Sequence, residues 1–191
     1  MYRYIFIESK SENIDSWSFM IDLFSEFIQI ESYEYDTKYL HIFYSHPIEV
    51  SLKDISINMV SDTLMDLRIY ESYSYEKQSK RKENHDYVLR LLKEVPFHLF
   101  SYLDSKTLLS YLIKKGYHID HTSFFQKYAQ DQMMLETVKT YLDANQNSTL
   151  AAKKLYIHRN TLIQRLDKFI QITGFDPKRF KDAFIIYYLI N

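Results

Sequence analysis

The sequence predicts an α+β protein in three parts: a mixed unit of strands and helices, a helical linker, and an all-α module. Three observations carry this expectation. Within the first 75 residues, runs that alternate with period two are interleaved with runs whose apolar residues sit three and four apart. Beyond residue 76 the strand pattern gives way to helical spacing. Near the carboxyl end, two short amphipathic stretches are joined by a tight turn.

Taken in order, Tyr2 to Glu8 alternates as a strand, and Ser9 to Asn13 breaks it with polar turn chemistry. A helix comes next, with Trp17, Met20, Ile21, Phe24, Phe27 and Ile28 on one side and Asp15 near its positive amino end. Two β-rich runs, Ile28 to Tyr35 and Tyr39 to Tyr44, flank Asp36, Thr37 and Lys38 as a hairpin. His46-Pro47 stops the second run, and Ser51 to Leu64 places Leu52, Ile55 and Met59 on one helical face. Leu67 to Tyr75 alternates again. The order strand, helix, strand, strand, helix, strand is the split βαβ arrangement of ferredoxin-like folds, and right-handed crossovers put both helices on one face of the sheet.

The expected domains are therefore residues 1–75, a helical connector over 76–131, and a carboxy-terminal module over 132–191. Glu76 to Asp86 is charged and free of apolar residues, which fits a solvated connector or the first turns of a helix; Lys77, Lys80, Arg81 and Lys82 form a basic cluster there. A helix resumes over Tyr87 to Val95 and ends at Pro96. Phe97 to Tyr102 and Lys106 to Lys115 read as two further short helices, the second stopped by Gly116. Met133 to Ala144, with Leu135, Val138, Tyr141 and Leu142 inward, is a helix that braces the segment after it.

The stretch from Ser148 to Ile172 has the pattern of a helix-turn-helix. Leu150, Ala151, Ala152 and Leu155 fill the first helix, with Ser148 as its N-cap; Tyr156, Ile157 and His158 form the turn, with Ile157 as its buried plug. At 100° per residue, Leu162, Leu166, Phe169 and Ile170 of the second helix share about a third of the circumference. The opposite face shows Asn160, Thr161, Gln164 and Lys168, with Arg159 and Arg165 on the flanks. Asn and Gln can bind adenine bidentately in the major groove, and Arg can pair with guanine or phosphate. Periodicity alone fits any amphipathic helix pair, but charge adds to it: Asn145 to Asp182 holds eight basic and three acidic residues, +5 in a chain of net charge −1.

HRNTL at 158–162, followed by Arg165 and Leu166, preceded by YLDANQNSTLAAKKL and followed by TGFDPKRFKDA, resembles the carboxy-terminal helix-turn-helix of PucR/CdaR-type regulators. The resemblance covers roughly Leu135 to Ile190. Family members usually have Gly-Asn where this chain has Gln146 and Asn147, which changes a loop rather than the reading helix. The resemblance implies a DNA-binding transcription regulator whose contacts come from Ser148, His158, Arg159, Asn160, Thr161, Gln164, Arg165 and Lys168. It also implies a degenerate GGDEF-like domain ahead of the module. Where an active diguanylate cyclase has its glycine-bearing turn, this chain has Tyr35, Asp36, Thr37 and Lys38. With no glycine and one carboxylate, neither close nucleotide approach nor a two-metal site is expected.

Other chemistry is sparse. The absence of cysteine excludes disulfides and thiolate sites and fits a reducing cytoplasm. Gly116 and Gly174 are the two glycines, so no phosphate-cradling loop is available, and His118 with His121 lacks a third metal ligand nearby. The longest apolar run, Ala183 to Ile190, is far short of a bilayer span, and MYRYIFIESK lacks the apolar core of a signal peptide. The expectation is a cytoplasmic, non-enzymatic protein without cofactor that binds double-stranded DNA as a homodimer on an inverted repeat, with a small-molecule effector as a further candidate partner. The alternative is a ligand- or protein-sensing scaffold whose amino-terminal part mediates dimerisation, with DNA binding secondary. AFIIYYLI, apolar all round, points to one face on the module and another on a second copy, or to complete burial in one chain.

Overall fold

The structure, a computed structural model, describes residues 1–11, 17–45, 51–63 and 65–191. The expected roles of Asn13, Asp15 and the His46-Pro47 stop lie outside the described residues, as does the side chain of Met59. The chain divides into two units, Met1–Leu108 and Leu109–Asn191.

The first unit runs β1 (Tyr2–Ser9), α1 (Ser18–Ser25), β2 (Gln29–Tyr35), β3 (Tyr39–Ser45), α2 (Leu52–Thr63), β4 (Leu67–Glu71), α3 (Gln78–Leu92) and β5 (Tyr102–Asp104). Its sheet has the order β2-β3-β1-β4-β5, antiparallel except between β4 and β5. Ile5 faces Ile42 across one ladder and Glu71 across the other. Period-two alternation then sorts β1 into two faces. Ile5 and Ile7 join Leu40, Ile42 and Ile69 in a core closed by Met20 and Phe24 of α1 and Leu52 of α2, so both early helices serve one face. The other face is covered by α3, where the Tyr4 hydroxyl donates to Asn84 at 2.8 Å and the His85 ring stands edge-on to Tyr4.

At the tip of the β2–β3 hairpin, Asp36 accepts from the backbone amides of Lys38 and Tyr39 at 2.7 and 2.8 Å. Its carboxylate thus closes an Asx-type turn, a structural use for the one acid at that tip.

Two local expectations change. Of the two readings of Glu76 to Asp86 the helix holds, from Gln78 onward, but Arg81 is not part of an exposed basic cluster: it is buried, 2.8 Å from Glu31, with its guanidinium over the Phe43 ring. A cation leaves water here because it gains a carboxylate and an aromatic face together. In the second case, Phe97 to Tyr102 does not form a helix beyond a single 3-10 turn at Phe97–Leu99. Tyr102–Asp104 instead pairs with the open edge of β4, whose Ile69 amide donates to the Ser101 carbonyl at 2.9 Å. Unpaired edge groups recruit a strand that local propensity does not announce. The stretch expected as a connector is divided accordingly: α3 and β5 stand with the sheet, and residues 109–131 with the second unit.

The second unit contains most of α4 (Ser105–Lys114), then α5 (Thr122–Phe125), a 3-10 turn at Gln126–Gln130, α6 (Gln132–Asp143), α7 (Ser148–Lys154), α8 (Arg159–Thr173) and α9 (Phe180–Ile190). Its core stacks Phe125 edge-on against Phe169 and Phe175, at 5.3 and 5.9 Å between ring centroids. In α6 the buried face is Met134, Thr137, Val138 and Tyr141, about one residue round from the face expected, leaving Leu135 and Leu142 half-buried.

Candidate nucleic-acid interface

Three helices build the interface: α6 as the brace, α7 as the first arm of the helix-turn-helix, and α8 as the second. The ends of the first two use one device. After α6, the amide of Asn145 donates to the Leu142 carbonyl and that of Gln146 to Tyr141; after α7, Tyr156 donates to Lys153 and Ile157 to Ala152. This paired pattern is the Schellman termination, whose first residue past the cap sits at positive φ and is usually glycine. Here that residue is Asn145 (φ 51) and then Tyr156 (φ 53), with Gln146 also positive at 61. The Gly-Asn usual in the resembled family corresponds to Gln146 and Asn147, so the departure falls on a left-handed residue. Its side chain gains something there: the Gln146 amide donates to the Pro177 carbonyl at 2.7 Å.

The N-cap of α7 is Asn147, not Ser148. Its side-chain oxygen accepts from the amides of Thr149 and Leu150 at 3.1 and 3.0 Å. Asn precedes Ser in sequence and outcompetes it because its carbonyl reaches the next two free amides from extended backbone. Ser148 is released for another contact, and its hydroxyl accepts from Arg159 Nε at 2.9 Å, joining the start of α7 to the start of α8.

Packing within α7 also differs from expectation. Ala151 and Ala152 are buried, Leu155 is half-buried and Leu150 is exposed. Small side chains at the contact let a seven-residue helix lie close to its neighbours α6 and α8. Ile157 is half-buried rather than a sealed plug, and Tyr156 beside it is 96% exposed. The sequence places Tyr156 in the turn without marking it as a surface feature.

Helix α8 starts at an N-cap supplied by His158, whose Nδ1 accepts from the Asn160 amide at 3.2 Å. An accepting Nδ1 leaves the imidazole proton on Nε2. The helix buries Leu162, Leu166, Phe169, Ile172 and Thr173, and ends at Gly174 (φ 76), which as glycine carries no left-handed penalty. Ile170 is half-buried.

The predicted site residues fall into two groups. Asn160, Thr161, Gln164 and Lys168 are exposed, and their side chains make no hydrogen bond among the described residues. Arg159 and Arg165 are engaged. Arg159 holds Ser148 while remaining exposed; Arg165 is half-buried and donates through Nη1 to Thr137 Oγ1 at 3.0 Å, tying α8 to α6. Thr137 in turn donates to the Met133 carbonyl at 2.7 Å. The outward face of α8 therefore offers two amides, a hydroxyl and an ammonium, with fixed guanidinium groups alongside.

Charge follows the same division. Residues 109–191 hold twelve basic and seven acidic side chains, +5, and residues 1–108 carry −6. Lys153, Lys154, Lys168 and Lys181 are exposed on the helical unit, as is Lys178, which pairs with Asp167 at 2.6 Å. An array of this kind attracts a polyanion and releases its counterions on contact.

Residues 134–190 match the PucR C-terminal helix-turn-helix domain. The chain is 40% identical over 62 residues to the uncharacterized protein YxkF of Bacillus subtilis (strain 168), covering 32% of this chain and 21% of that protein. It is 39% identical over 62 residues to the purine catabolism regulatory protein of the same organism, covering 32% and 12%. With the DNA-binding transcriptional activator AdeR, also from Bacillus subtilis, identity is 32% over 133 residues, covering 62% and 30%. The chain thus spans less than a third of the length of each of these three relatives. Over residues 134–190 it is similar to the helix-turn-helix domain of PucR-type regulators.

Proposed function

We propose that the protein is a sequence-specific, double-stranded-DNA-binding transcription regulator. One observation carries this reading: α8 turns Asn160, Thr161, Gln164 and Lys168 outward, their side chains without a hydrogen bond among the described residues, on a unit of charge +5. Asn160, Thr161 and Gln164 read base edges; Lys168 and Arg159 hold phosphates; Arg165 shares in the reading from the flank while it braces the helix. Ser148 and His158 sit at the two helix starts, where exposed backbone amides favour phosphate oxygens. The purine catabolism regulatory protein and AdeR, by their names, lend the same reading to this chain.

The regulator works as a homodimer on an inverted repeat, since two-fold symmetry brings paired reading helices to major grooves one turn apart. The surface proposed for pairing is on α9, where Phe180, Phe184, Tyr187 and Tyr188 are exposed while Ile185, Ile186 and Leu189 face inward. Phe180 is 82% exposed, an unfavourable position for a ring that nothing covers.

The amino-terminal unit is proposed to be a degenerate GGDEF-like domain on a ferredoxin-like framework, supported by the element order and by the strand order β2-β3-β1-β4. Its proposed role is non-enzymatic and without cofactor, a reading supported for diguanylate cyclase chemistry by a hairpin tip that Asp36 closes and that has no glycine. Incubation with GTP and magnesium is expected to yield no cyclic dinucleotide. The cytoplasm is its proposed location; among the described residues no helix is long and apolar enough to cross a membrane.

The alternative, a sensing unit with DNA binding secondary, is favoured by one observation, a cavity of about 580 Å³ within the amino-terminal unit. Selection of bound fragments from a random duplex pool separates the two. Enrichment of a two-fold symmetric site supports the regulator; no enrichment above a scrambled control, with a folded protein, contradicts it.

A further inference from the structure

We propose that the amino-terminal unit binds a small organic anion with a flat apolar body, in the cavity between the sheet and the last turn of α3. The proposal stands on the cavity itself and rests on the regulator reading only for what binding would control. At about 580 Å³ the cavity lies within the size range of ligand sites. Its origin is local. The first turns of α3 press Arg81, Asn84, His85 and Val88 onto the sheet, but the helix stops at Leu92 and Pro96 redirects the chain. Over the far end of the same face, Leu89, Val95 and Phe97 roof a space floored by Phe6. The Phe6 ring stacks on Tyr39 at 5.6 Å and 27°, giving the space a flat aromatic side.

Charge selects the ligand class. Arg68, on β4, is buried and lines the cavity. Its Nη1 donates to the Val95 carbonyl at 2.6 Å, and its Nη2 to the Leu92 carbonyl at 3.2 Å and to Glu8. Its Nε has no hydrogen-bond partner among the described residues. That N–H is closed to solvent and is not the group offered to a ligand; the guanidinium acts on the cavity through its charge, from its place in the lining. Among the lining residues, Arg68 and Lys93 stand against the one carboxylate of Glu8, a balance of +1. His41 also lines the space but adds no charge at neutral pH, because burial and the neighbouring His85 hold its pKa at about 4. A neutral ligand would leave that positive charge uncompensated, and a small inorganic anion would leave the aromatic side unused.

The test uses the full 191-residue chain, labelled with nitrogen-15, and 2-naphthoate as the probe. Naphthalen-2-ylmethanol serves as the neutral analogue and acetate as the bare anion. Saturable amide shifts centred on Phe6, His41, Leu89, Lys93 and Phe97 are expected with naphthoate. Both comparators should bind at least about tenfold more weakly, the scale of one charge-assisted contact or one buried ring system. Because Arg68→Gln risks unfolding the sheet, the variants are Lys93→Gln, expected to weaken naphthoate about threefold to tenfold, and Leu89→Trp, expected to abolish binding by filling the space while the spectrum stays dispersed. Absence of saturable shifts overturns the proposal. So does equal affinity for the neutral analogue, or undiminished binding by Leu89→Trp. Duplex affinity is measured in parallel on the selected site: DNA binding without naphthoate binding sinks this inference alone, and naphthoate binding without DNA binding sinks the regulator reading alone.

Discussion

Replacing Tyr156 by Gly should make the helical unit more stable, although it removes a large side chain. Tyr156 holds φ 53 at the end of α7, with its amide bonded to Lys153 as the Schellman geometry requires. A residue with a Cβ costs about 1–2 kcal/mol in that region, and glycine returns about 0.5–1 kcal/mol of this through its freer unfolded chain. At 96% exposure the ring leaves no buried area behind. The net gain is therefore about 0.5–1 kcal/mol, or about 2–8 °C for a unit of this size. Gly116 ends α4 with the same bond pattern at φ 80, and a Cβ built on it meets nothing within 4 Å. Gly116→Ala should thus cost about what Tyr156→Gly gains, for conformational reasons alone. Urea unfolding followed by far-UV circular dichroism measures both. Loss of stability in Tyr156→Gly would refute the reasoning, because it would mean that the ring has a structural partner. A stability gain accompanied by weaker DNA binding would mark the ring as functional, the usual reason for strain to persist at an exposed turn.

Contacts in the helical unit and the sheet give three more predictions. Asn147→Ala should cost about 1 kcal/mol through loss of the α7 cap, whereas Ser148→Ala should cost under about 0.5 kcal/mol of stability, since its exposed contact to Arg159 is replaceable by water; the same urea titration ranks them. Arg165→Ala should destabilise by about 1–3 kcal/mol by leaving the buried Thr137 hydroxyl without its donor, and Arg165→Gln should recover part of this; equal stability of wild type and Arg165→Ala would show that the α8–α6 tie is idle. His41 is lowered to about 4 by burial and by His85, so the unfolded chain takes up its proton first. Stability of the amino-terminal unit should fall as pH drops from about 6.5 toward 4, and His41→Gln should flatten that slope in unfolding curves at stepped pH.

The sequence is most legible where local chemistry and packing agree. The α8 pattern reads directly because Leu162, Leu166 and Phe169 recur at helical spacing; β1, β3 and β4 read directly because each turns apolar residues to one face, while β2 is almost wholly exposed. Legibility fails where a partner distant in sequence decides. Arg81 and Asn84 look like solvated helix residues until Glu31, Phe43 and Tyr4 supply their contacts, and β5 is three residues long, defined only by the edge of β4. Within the interface, the exposed face of α8 was predictable from periodicity. The tie of Arg165 to Thr137 was not, since it depends on how α6 is rotated. Ser148 lost its capping role to Asn147 for a subtler reason: two adjacent residues could both cap, and backbone geometry chose the first.

The reading role of α8 is tested most directly by measuring affinity across salt concentrations for wild type, Gln164→Ala and Lys168→Ala, each on the selected duplex and on a scrambled one. Gln164→Ala should lose about 1–3 kcal/mol on the selected site only, with an unchanged salt slope. Lys168→Ala should weaken both duplexes alike and reduce the slope by about 0.9, one phosphate contact. Equal losses on both duplexes for both variants, or no loss for either, would contradict the assignment of base reading to the outward face of α8.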